Sequence, residues 1–74
     1  MIHLGYVREG KPVNVSKDDK GYRVHYDSRY FKKRKRAVKH GLKIIIRSYF
    51  PDTSIIVIDD FLDNNLIDTS QLEV

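Results

Sequence analysis

The sequence predicts a small α+β domain: an antiparallel or mixed sheet in the order β-β-β-α-β, with one long amphipathic helix packed on one face. Three observations predict it. "IHLGYV" and "YRVHY" alternate along the chain with the two-residue period of half-buried strands. From Phe31 to Tyr49 the apolar residues follow a helical period instead. "IIVID" is a dense run of β-branched side chains, of strand length and short for a helix.

Taken in order, the first strand runs from Ile2 to Val7, with Ile2, Leu4 and Tyr6 on one face, and "REGKP" supplies the Gly and Pro of a turn. "PVNV" gives a short second strand through Val13 and Val15, and "SKDDKG" reads as a polar loop ending in Gly21. "YRVHY" then sets Tyr22, Val24 and Tyr26 on one face and Arg23 and His25 on the other. Such a meander has one apolar face, which needs a helix laid across it to keep it dry.

The helix follows Asp27 and Ser28, either of which suits an N-cap. At 100° per residue, Phe31, Val38, Leu42, Ile45, Ile46 and Tyr49 share an apolar sector, and Lys32, Lys33, Arg36, Lys39, His40, Lys43 and Arg47 share the opposite one. Arg34 and Lys35 sit at the flanks. A later start near Lys33 or Lys35 follows if "RYFKK" pairs with "YRVHY" as another strand. Gly41 costs about 1 kcal/mol relative to Ala and marks a bend or a close packing contact. Pro51 stops the helix, because the residue before a proline is pushed out of the helical region. "IIVID" is then expected as a strand internal to the sheet, Asp63 to Asn65 as a turn before a hairpin or short helix, and the last residues as loose.

With 74 residues the chain has room for one domain, spanning residues 1–74, and for a core of modest stability, so packing or association must do what other small domains do with disulfides or metals. It has no cysteine, which removes disulfides and thiolate metal sites. No apolar run reaches membrane-spanning or signal-peptide length. The expected location is the cytoplasm, or the nucleus in a eukaryotic host, where "KKRKR" resembles an import signal.

Charge carries the functional signal. Residues 29–47 hold nine of the 14 basic residues and no acidic one, whereas residues 48–74 hold six of the 10 acidic residues and no Lys or Arg. An ordinary solvated helix face would interleave Glu at i,i+4 to relieve repulsion, and this one has none. A cationic stripe from Lys32 to Arg47 extends roughly 22 Å at 1.5 Å per residue, long enough for several phosphates. The expected function is a non-enzymatic accessory protein that binds DNA or RNA, with Lys32, Lys33, Arg36, Lys39, Lys43 and Arg47 on phosphates and Arg29 and Tyr30 beside them. That reading needs those cations free, and the acidic C-terminal segment is their internal competitor.

The alternative is a small regulator or inhibitor that docks on another protein's acidic or nucleic-acid-binding surface. Enzyme chemistry finds little footing: the four glycines are isolated, no HxxxH spacing occurs among the three histidines, and neither a metal nor a cofactor is expected. Phe31, Tyr22 and Tyr26 are expected in the core and Tyr30 exposed. Ile44, Phe50, Ile56, Ile58 and Phe61 exceed what one helix-on-sheet layer covers, which points to a homodimer through an edge strand or the helix flank.

"YRVHY" followed by "FKKRKRA", within residues 22–38, resembles the strand-then-helix passage of the arm-binding and AP2-like DNA-binding domains of integrases. The resemblance implies a three-stranded sheet backed by a helix, with the sheet facing DNA through Arg23 and His25. Lys33 stands where that pattern has a Thr or Ser helix cap, and "IIVID" has no counterpart in it.

Overall fold

A computed structural model of the chain, which describes residues 1–65, shows an α+β architecture. Strands β1 (Ile2–Tyr6), β2 (Pro12–Asp18), β3 (Gly21–Val24) and β4 (Arg29–Phe31) form an antiparallel meander in that spatial order. Helices α1 (Arg34–Tyr49) and α2 (Ile55–Asn65) follow. The long helix packs on one face of the sheet through Ala37, Val38, Leu42, Ile44 and Ile45; of the expected apolar stripe, Phe31 lies in β4 and Tyr49 is exposed.

Register explains the core. Ile2 pairs with Val15 and Val15 with Val24, so these three stand in one row across the sheet, facing α1. Val13, Val15 and Val24 are fully buried, together with Ala37 and Val38 of the helix. Burying a valine fully is worth about 1.5–3 kcal/mol, so this row anchors the small core. Gly41 is buried where α1 crosses the sheet: a Cβ there would collide with Leu4 Cδ1 and stand 3.2 Å from Val13 Cγ1. Close packing, the second of the two readings of this glycine, is therefore its role.

Two turns organise the meander. Asp18 pairs with Gly21 across a two-residue turn in which the Lys20 N–H donates to Asp18 Oδ1 at 2.8 Å. The expected loop is thus mostly strand. Gly21 has φ +123 and a Cβ would sit 2.6 Å from the Phe31 carbonyl oxygen, so only glycine suits both its backbone and its neighbour. Asp27 and Ser28 do not cap a helix. They close the β3–β4 hairpin, with Ser28 at φ +62 and its N–H donating to the Val24 oxygen at 2.8 Å, and with Asp27 Oδ1 accepting from the Arg29 N–H at 3.3 Å.

The expected single helix from residue 29 is therefore divided, along the later-start alternative. Tyr22 pairs with Phe31 and Arg23 with Tyr30, which draws residues 29–31 into the sheet. Lys33 becomes the helix N-cap, with φ −116 and ψ 137, and its side chain makes no capping hydrogen bond. The helix ends at Tyr49, and the Phe50 N–H still donates to the Ile46 oxygen at 2.9 Å.

The segment expected as a buried strand is helical. Ser54 Oγ accepts from the Ile56 N–H at 3.3 Å, and α2 buries Ile58 and Leu62 against α1. A four-residue apolar run does not distinguish a buried strand from a helix. Here the i,i+4 pair Ile58 and Leu62 gives the helix a stripe to bury, and the expected turn at Asp63 to Asn65 is its last turn. Tyr22 and Phe31 pack against the core, whereas Tyr26 lies beyond β3 and is exposed, as is Tyr30. The expectation of loose final residues concerns positions outside the described residues.

Candidate anion-binding groove

Where β4 runs into α1, an open groove of about 570 Å³ gathers most of the basic tract. Arg29 enters from the strand, Lys33 from the cap position, and Lys35, Arg36, Lys39 and Lys43 from successive turns of α1. Phe31 and His40 line it as well, and among the described residues Asp63 is the one carboxylate in its wall. The helical period places these side chains together: Lys35, Lys39 and Lys43 recur at four-residue spacing, and Arg36 and His40 form the adjacent row.

Two of the expected phosphate contacts are engaged within the protein. Lys39 Nζ lies 3.2 Å from Asp59 Oδ1 and donates to Asp63 Oδ1 at 2.5 Å, and Lys43 Nζ pairs with Asp59 Oδ1. The hydrogen bonds from Lys43 and Lys39 hold the Asp59 carboxyl below the ordinary aspartate range. The bond to Asp63, helped by Asp59, raises the Lys39 ammonium above its ordinary value against the opposing effect of desolvation. The requirement that the whole stripe be free is not met, because carboxylates of α2 hold two of its lysines.

The mouth of the groove differs. Lys33, Lys35 and Arg36 are exposed and form no ion pair with a carboxylate among the described residues. Arg29 is exposed too; its guanidinium lies 5.5 Å from the centroid of the Phe31 ring, and the His40 ring centroid is 5.1 Å from the same ring. His40 Nε2 is 2.6 Å from Asp27 Oδ2, which ties α1 to the β3–β4 hairpin.

Of the sequence-predicted site residues, Arg29, Lys33, Arg36, Lys39 and Lys43 come together, while Tyr30, Lys32 and Arg47 lie outside the groove. Tyr30 projects from the opposite face of β4, its hydroxyl donating to Asp18 Oδ2 at 2.9 Å and Lys20 Nζ standing 5.9 Å from its ring centroid. That bond pulls the Asp18 carboxyl down, second to the Lys20 N–H, and pushes the Tyr30 phenol up. Lys32 and Arg47 are exposed, at the β4–α1 junction and in the last turn of α1. Lys35 and His40 were not among the predicted contacts. The four-residue spacing of Lys35, Lys39 and Lys43 was a signal for the first, and the place of His40 in the cationic sector, four residues after Arg36, was one for the second; only its partner Asp27, distant in sequence, had none.

No family model matches this chain, and none of the curated proteins or solved structures does either. The sheet also has one strand more than the three that the integrase resemblance implies. Arg23 and His25 do lie on the sheet face turned from α1, where the Arg23 guanidinium donates to Ser28 Oγ at 3.1 Å and His25 Nε2 is 2.5 Å from Ser16 Oγ. His3 Nδ1 and Asn14 Oδ1, 2.6 Å apart, continue that polar face. No helix among the described residues is long and apolar enough to cross a membrane.

Proposed function

We propose that the chain is a non-enzymatic nucleic-acid-binding accessory protein whose groove between β4 and α1 holds the phosphate backbone of DNA or RNA. The observation that carries this reading is the convergence of Arg29, Lys33, Lys35 and Arg36 on one open concavity, without a carboxylate partner among the described residues. Their position is costly to the fold. Lys33 to Arg36 occupy the N-cap and first turn of α1, the positive end of its dipole, where acidic residues stabilise and cations repel. The first turn has no acidic residue and the cap makes no side-chain bond. A segment selected for stability alone would carry Ser or Asp at the cap and Glu after it. A bound polyanion turns that unfavourable potential into binding energy.

The contacts are of the kind that position a backbone and carry little sequence information. Titration with random-sequence duplex, single-stranded DNA and RNA at about 0.1 M salt tests the reading: a saturable shift that weakens steeply with salt supports it, and no shift with any of the three overturns it. A parallel titration of the Arg23→Ala/His25→Ala variant locates the contact, because loss of binding there moves the interface from the groove to the sheet.

The alternative, a small regulator or inhibitor that docks on another protein's acidic or nucleic-acid-binding surface, would use the same cations; the expected homodimer draws on a different observation. Tyr49, Phe50, Ile56, Val57 and Phe61, around the α1–α2 turn, are all exposed. Exposed apolar side chains act as an interaction surface when they form a contiguous patch, and a homodimer would need these to do so. Sedimentation decides for the homodimer: a monomer at micromolar concentration removes it.

A further inference from the structure

We infer that α2 is a built-in competitor for the groove: its Asp59 and Asp63 occupy Lys39 and Lys43 in place of phosphates, and a bound nucleic-acid strand displaces them. This rests on the reading of the groove as a phosphate site. The geometry has three parts. First, the pairing is a ladder between two helices, Lys39 bridging Asp59 and Asp63 while Lys43 shares Asp59, so both carboxylates point at the basic stripe. Second, residues four apart on a helix are separated by about 6 Å along its axis, comparable to the step between successive phosphates of one strand. The two aspartates thus place two negative charges on the lysines that successive phosphates of a strand would meet. Third, α2 packs on α1 and on no other element among the described residues, holding on through Ile58 and Leu62. Elements with so few buried contacts open at the least cost.

The groove thereby acts in two stages. Arg29, Lys33, Lys35 and Arg36 at the mouth take the first phosphates, because no aspartate among the described residues holds them. A strand long enough to reach further along α1 then exchanges with Asp59 and Asp63 for the remaining two lysines. A lone phosphate or a very short oligonucleotide engages only the mouth. The carboxylates put a cost on this second stage alone, so the device tempers the affinity for long strands, leaves short ones unaffected, and reads no sequence.

The experiment uses the full chain and single-stranded oligonucleotides of increasing length at about 0.05 M salt, comparing wild type with the Asp59→Asn/Asp63→Asn variant. The variant is expected to bind long strands about tenfold more tightly, with the gain vanishing for the shortest ones. Hydrogen exchange on the wild type is expected to show α2 amides losing protection when a long strand binds. Equal affinities of variant and wild type, or α2 protection unchanged or raised on binding, overturns the competitor while leaving the phosphate site intact. If neither protein binds any strand, the phosphate reading itself falls and the competitor with it. Should the double substitution unfold α2, seen as lost helical circular dichroism, the wild-type exchange experiment decides alone.

Discussion

Replacing Lys33, Lys35 and Arg36 together by Gln should weaken nucleic-acid binding and strengthen the fold, two effects of opposite sign from one perturbation. The groove mouth holds four cations unpaired among the described residues, and the substitution leaves Arg29 alone. If each neutralises one phosphate, log K falls with log salt at a slope of about −2.8 for single strands and −3.6 for duplex. Raising salt fourfold, from about 0.05 M to 0.2 M, then weakens the wild type roughly 50- to 150-fold. The triple variant, with a slope of about −0.7 to −0.9, should lose only about threefold over the same range. Wild-type slopes steeper than four contacts allow, approaching about −4.2 on long single strands, indicate that Lys39 and Lys43 have also joined. The stability arm comes from α1, whose positive end these side chains crowd; relief is worth about 0.3–1 kcal/mol per cation at low salt, so the urea midpoint should rise. Fluorescence anisotropy across a salt series and urea unfolding read the two arms. An unchanged salt slope shows that the phosphates bind elsewhere, and a lower urea midpoint shows that these cations hold the fold together.

Other consequences concern the same junction and the helix that covers it. Lys33→Ser gives α1 the side-chain cap it lacks and should add about 1 kcal/mol in urea unfolding, against a small loss of affinity. Gly41→Val forces atoms into the Leu4 and Val13 contacts and should cost about 1–3 kcal/mol from overpacking, read by thermal unfolding. Docking of α2 should depend on pH in a defined window, followed by amide exchange or by NMR of the Ile58 and Leu62 methyls. The depressed Asp59 carboxyl contributes stability that is present above the ordinary aspartate value of about 3.9 and is lost as pH falls through its lowered folded value. The raised Lys39 ammonium contributes stability that is present below about pH 10.4 and is lost as pH rises through its raised value. α2 should therefore be held between these limits and released outside them; release near neutral pH would contradict the ion-pair ladder.

Much of the frame is legible in single residues. Alternation marks Ile2 and Leu4, Val13 and Val15, and Tyr22 and Val24 as strand positions, because a pleated strand sends every second side chain to the same face. The helical spacing of Val38, Leu42 and Ile45 likewise marks part of the sheet-facing side of α1, to which the structure adds Ala37, Gly41 and Ile44, and the block of cations in that segment is a property of the sequence alone. The groove is half legible: Lys33 and Arg36 follow from the same wheel, whereas Arg29 enters from β4 and Asp27 meets His40 only through the fold.

What only the tertiary structure decided lies at competitions between near-equal local choices. Residues 29–31 had the option of another turn of helix or three ladder pairs with β3, and the pairing of Phe31 with Tyr22 took them into the sheet, moving the helix start to Arg34 and the cap to Lys33. "IIVI" had strand propensity, but Ser54 began a helix whose Ile58 and Leu62 found an apolar seat on α1. That one outcome brought Asp59 and Asp63 onto Lys39 and Lys43. The reason is a matter of range. Backbone preference and side-chain period act over a few residues and are written in order along the chain, whereas ion pairing depends on distances through space, which exist only once the helices have docked.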